Sequence, residues 1–156
     1  MCQGVPLLSW ESTMSTEQAN KEFARRWNEE IWGQQNLEVI DDLVADDFVG
    51  HDPSRPGPVR GPEGVREVVE MLFSAFPDTQ VDLEEIVAES NRIAMRITAS
   101  GTHEGEFMGI EPTDEQMEVE VMTFQRIEDG KAVEEWQIVD TLGMLQQLGV
   151  VELPGE

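Results

Sequence analysis

The sequence predicts an α+β domain: a cone-shaped, curved antiparallel sheet covered by three N-terminal helices, with a short C-terminal helix after it. Three observations carry that expectation. Apolar residues recur at helical spacing in the first half of the chain, at Phe23, Trp27 and Ile31 and again from Val65 through Phe76. From Val81 onward the apolar period falls to two, the spacing of a half-buried strand. The dipeptide Asp129-Gly130 joins two later runs and suits the left-handed angles of a two-residue hairpin turn.

In order, the first helix covers about 16–33 and opens on Ser15-x-x-Gln18, a capping box in which the serine hydroxyl takes up an orphaned backbone N–H. A shorter helix follows from Asn36 as N-cap and turns Leu37, Ile40 and Val44 inward. Residues 46–51 read as a short strand, and the prolines and glycines of 52–61 make that stretch a loop. Gly61-Pro62 starts the third helix, with proline where its missing N–H costs nothing, and Pro77 ends it. Val81 and Leu83 then alternate with acidic residues, Ile93, Met95 and Ile97 repeat the pattern, and 117–128 with 131–139 form the hairpin. A short helix over 142–148 ends at Gly149. Strands joined mainly by hairpins give an antiparallel sheet, and helices over one face of a curved sheet leave one cone-like cavity.

At 156 residues the chain fits one domain over 15–150, between a flexible tail at 1–14 and a short tail at 151–156. Cys2, in the first tail, is the only cysteine, so an internal disulfide is excluded. No apolar run spans a bilayer and no signal peptide is evident, so a cytoplasmic protein is expected. The 33 acidic against 10 basic residues give a net charge of −23 spread along the chain, which argues against nucleic acid because phosphate contacts need basic side chains. Diffuse acidity with only two lysines, Lys21 and Lys131, also fits a halophilic source, where molar salt screens self-repulsion.

Gly101-Thr102-His103-Glu104-Gly105-Glu106-Phe107-Met108-Gly109, Pro112-Thr113, Asp129-Gly130-Lys131, Glu135-Trp136, Asp140 and Gln147-Leu148-Gly149 fall in a fixed order. His51 before the Gly/Pro loop and Phe76-Pro77-Asp78 before the first long strand extend the pattern. Together they resemble the SnoaL-like polyketide cyclase family, within the superfamily of cone-shaped domains that includes nuclear transport factor two and ketosteroid isomerase. The resemblance implies ring closure by intramolecular aldol condensation of a polyketide ester, without metal or organic cofactor, with an aspartate as acid and base. It also implies a homodimer through the outer face of the sheet, and Met122, Phe124, Trp136 and Ile138 alternate with Val121, Thr123, Gln137 and Val139, which gives apolar groups on both faces of the central hairpin and an outer face to cover. Counted from Asp129-Gly130-Lys131, the family's catalytic aspartate falls at Gln137 and its partner histidine at Thr123. Glutamine cannot take a proton from carbon.

Three residues are therefore candidates for the missing acid–base work. Asp140 fits a relocated acid or base, and equally the N-cap of the last helix. His103 fits a donor to a substrate carbonyl or a structural role, and His51 a pocket residue or a loop anchor. Trp27, Phe107 and Met108 are the expected pocket walls, with Thr123 and Gln137 as polar groups toward a small apolar ligand. A metal held by His51, His103 and Asp140 is not expected. The doublets Asp41-Asp42, Asp46-Asp47, Glu84-Glu85 and Glu134-Glu135 read as solvated faces. The leading expectation is cofactor-free acid–base chemistry, an aldol-type cyclisation or isomerisation of a small apolar carbonyl compound. The alternatives are a non-catalytic binding domain and a hydrolase or dehydratase on the same fold.

Overall fold

The computed structural model describes residues 15–152 and 154–155, so the tail expected at 1–14, with Cys2, lies outside the described residues. Ser15 opens the first helix, its hydroxyl accepting from the Gln18 backbone N–H at 3.1 Å. Helix α1 (Thr16–Arg26) does not continue as an α-helix to residue 33; it widens into a π-helical segment, Trp27–Gly33. Phe23, Trp27 and Ile31 all stay buried. Where the bonding pattern changes, the Asn28 amide donates to the Ala24 carbonyl at 2.8 Å, adding a side-chain bond that an apolar-periodicity argument does not see.

Asn36 caps a 3₁₀ turn, Leu37–Val39, that runs into helix α2 (Ile40–Leu43). Strand β1 starts at Val44, earlier than its sequence pattern suggested, and runs to His51. The Pro/Gly loop holds a two-residue strand, β2 (Val59–Arg60), paired antiparallel to β1. Helix α3 (Gly61–Ala75) has Pro62 in its first turn and stops before Phe76-Pro77. The remaining strands are β3 (Gln80–Glu89), β4 (Arg92–Thr102), β5 (Gln116–Glu128) and β6 (Lys131–Val139), followed by helix α4 (Thr141–Gln147). Asp129 and Gly130 take φ of 52° and 76°, the left-handed pair that the β5–β6 turn requires.

The six strands form one curved sheet in the order β2-β1-β6-β5-β4-β3. Its long pairings are antiparallel, but β1 lies parallel to β6, with His51 opposite Trp136. Register shifts interrupt β3–β4, β5–β6 and β1–β6, as a sheet that bends needs. One apolar cluster packs α1, the π segment and α3 on β4, around Trp27, Ile31, Val69, Ile93 and Met95. A second joins Phe76, Phe107, Met117, Val119 and Met144. The cavity lies between them.

Candidate functional site

Strand β5 sets the polarity of the cavity. Met117, Val119 and Val121 line it, and so does Thr123 two residues further on, while Gln125 continues the same face in full burial. Across the ladder Thr123 pairs with Gln137 and Gln125 with Glu135. The inner face is thus apolar toward Met117 and polar toward Gln125. The cavity measures about 130 Å³ and is closed by Trp27, Trp32, Phe107, Met71, Met108 and Met144 among others. The methionines in this wall adapt to irregular apolar shapes.

Asp52, the first residue after β1, brings a carboxylate to the polar end. Its side chain is only 8% exposed, and its Oδ2 accepts from Gln137 Nε2 at 3.0 Å. Oδ1 accepts from the Ser54 backbone N–H at 2.9 Å and from its hydroxyl at 2.6 Å, an Asx turn that fixes the carboxylate plane. Arg55 Nε lies 3.8 Å from Oδ2. By sequence Asp52 falls in the Pro/Gly loop of 52–61, with nothing local to set it apart. The parallel register sets His51 beside Trp136, so the next residues along both strands are Asp52 and Gln137.

The doublet Glu134-Glu135 does not form one solvated face; strand alternation sends its two carboxylates to opposite sides of the sheet. Glu134 Oε2 meets His51 Nε2 at 2.8 Å on the outer side, and the hydrogen bond from His51, aided by Arg126, holds its carboxyl below the ordinary value. Glu135 points inward and accepts from Gln125 Nε2 at 2.7 Å. Burial pushes its carboxyl from an ordinary 4.5 to about 7; the Gln125 bond opposes that shift and the Asp52 charge adds to it. Glu135 lines a smaller chamber of about 40 Å³ that shares Asp52, Arg55 and Gln137 with the main cavity.

All five residues expected to contact a ligand, Trp27, Phe107, Met108, Thr123 and Gln137, line the main cavity. The three expected acid–base groups do not meet there. Asp140 is exposed and caps α4, accepting from the Gly143 N–H at 2.9 Å, because the strand ends one residue before it. His103 is fully buried beside Phe76, and its Nδ1 accepts from the Thr113 N–H at 3.2 Å, so it holds the loop before β5. Gly101 gives close approach to Phe76 and Asp78, not to a ligand. His51 borders the small chamber, and its ring stacks on Trp136 at 5.5 Å among the exposed outer side chains. Among the described residues no cluster of histidine, cysteine and carboxylates is arranged to hold a metal.

The profile of the SnoaL-like polyketide cyclases matches residues 22–148. The chain belongs to that family. Among solved structures, IdmH of Streptomyces antibioticus, a candidate polyketide cyclase, is 35% identical, with a TM-score of 0.72 over 85% of this chain and 99% of IdmH. A candidate polyketide cyclase of Acidithiobacillus ferrooxidans is 29% identical, with a TM-score of 0.77 over 87% of this chain and 98% of its own. AclR of Streptomyces galilaeus, a candidate hydroxylase, is 30% identical, with a TM-score of 0.70 over 90% and 85% of the two chains. No curated protein matches the sequence. No helix among the described residues is long and apolar enough to cross a membrane.

Proposed function

We propose that this SnoaL-like protein is an enzyme that moves protons at the carbon beside a carbonyl of a small apolar compound, cyclising or isomerising it without a cofactor. The observation that carries the reading is Asp52: a carboxylate in the wall of a largely apolar cavity, bonded to the glutamine that stands where the family's aspartate is expected. A carbon flanked by carbonyls is already acidic, so a positioned carboxylate suffices as base. Gln137 can orient that base, and its amide cannot replace it. Thr123 and the mouth residues Phe107 and Met108 would hold the substrate against it. Asp140, His103 and His51 are better explained by the cap, the loop and the outer face they serve.

The test follows hydrogen–deuterium exchange at the α-carbon of 2-tetralone, an apolar bicyclic ketone, by proton NMR in D₂O. The wild-type protein should accelerate exchange and Asp52→Asn should lose about 10²-fold or more of that acceleration. Equal rates in the two proteins would remove Asp52 as the base. Binding of the ketone with no exchange would favour a binding module, the reading that the glutamine at 137 supports. The same proposal includes a homodimer through the outer face, where Met122, Phe124, Trp136 and Ile138 are 40–58% exposed, and a high-salt cytoplasm to which the acidic surface is suited.

A further inference from the structure

Glu135 is the inward group that proton abstraction by Asp52 leaves without a task. A carboxyl buried in the wall of a chamber lined by aromatic and aliphatic side chains is costly to keep unless something uses it. The chamber is bordered by Trp27, Trp32 and Phe48 as well as by Asp52 and Gln137, and opens toward the main cavity. Its 40 Å³ exceeds the roughly 10–15 Å³ that one water requires, so it admits the oxygen-bearing end of a substrate whose apolar body lies in the larger space. Gln125, bonded to Glu135 through its Nε2, keeps a buried Oε1 with no partner within the protein, as does the Oγ1 of Thr123 in the wall of the main cavity. Hydrogen-bonding capacity is left over at this end.

The charged groups that border the chamber with Glu135 are Asp52 and Arg55, both from the loop after β1. Strand β5 offers it the neutral amide of Gln125, and the helical side offers Trp27, Trp32, Val65 and Val68. His51 spends its imidazole on Glu134 across the sheet. We propose that Glu135 is the acid of a two-carboxyl site, giving a proton to the substrate's carbonyl oxygen while Asp52 takes one from the adjacent carbon. This rests on the reading of Asp52 as the base. The C–H bond breaks, its electron pair becomes the new C=C bond, and the carbonyl π pair takes the Glu135 proton as an enol. Attack of that enol on a second carbonyl forms the C–C bond and returns the enol proton to Glu135. The new alkoxide takes the proton from Asp52, so both carboxyls are reset and no co-reactant is needed. Two carboxyls whose surroundings separate their protonation states can divide acid and base roles in this way.

Carbon-13 NMR of the full chain labelled at glutamate carboxyls tests the chamber without a ligand. The Glu135 resonance, assigned by its loss in Glu135→Gln, should titrate near 7 and move lower in Asp52→Asn. A midpoint below about 5, or one that Asp52→Asn leaves unmoved, overturns the proposal. With 2-tetralone, Glu135→Gln should exchange about 10²-fold more slowly than wild type near pH 6. The wild-type rate should fall above about pH 7, where Glu135 has lost its proton, and the variant should lack that fall. An active Asp52→Asn variant would remove the base. An inactive Asp52→Asn variant beside a Glu135→Gln variant of unchanged rate and pH profile would remove only the acid.

Discussion

Replacing Glu135 by glutamine should make the protein more stable in alkaline solution and leave it unchanged in acid. The carboxyl titrates near 4.5 in an unfolded chain and near 7 in the folded one, so between those values the folded state holds a proton that the unfolded state has released. Stability therefore falls as pH rises through that window and levels off above it. The difference of about 2.5 units corresponds to roughly 3 kcal/mol of destabilisation once Glu135 is ionised. Glutamine keeps the shape and stays neutral. Differential scanning calorimetry at about pH 5 should give matching midpoints, while at about pH 8 the variant should melt roughly 6–12 °C higher, at 2–4 °C per kcal/mol for a domain of this size. Because the charge is buried, added salt should not remove the difference. A pH-independent difference, or a variant that melts lower at pH 8, would refute the reasoning that places this carboxyl inside the sheet.

Asp140→Ala should cost about 1 kcal/mol by removing the cap of α4, without slowing tetralone exchange; an exchange rate that collapses at unchanged fold would return Asp140 to the chemistry. Trp136→Glu places a charge among Phe124, Met122 and Ile138 and should shift sedimentation from dimer to monomer; a wild type that sediments as monomer in molar salt would count against an association through this face. The melting midpoint should rise between low and molar salt as the repulsion behind a charge of −23 is screened, and a flat response would argue against a halophilic source.

Periodicity made the helical stripes and the alternating strands legible, because both are set by which face must leave water. Ser15, Asn36, Pro62 and Asp129-Gly130 act through local hydrogen bonding or fixed dihedrals, so their roles could be read without tertiary information. The parallel partnership of β1 with β6 could not, since it joins residues 85 apart whose pairing leaves no local pattern. That one omission hid Asp52. Glu135 was missed for a related reason: an acidic doublet looks like surface until alternation is applied to it, and only the β5–β6 register shows which member faces Gln125. The walls were easier to find than the two inward carboxyls, because apolar residues announce burial and a single carboxylate does not.

Strand β1 gains its long neighbour only when β6, the last of the six strands in chain order, lies beside it. Closing a loop of that length is entropically slow compared with forming the β5–β6 hairpin, so the Asp52–Gln137 bond belongs among the late events of folding. Proton transfer that depends on this bond would be absent from partly folded chains that already possess most of the sheet. Activity recovered during refolding would then report closure of the first strand onto the last, and would lag the return of secondary structure.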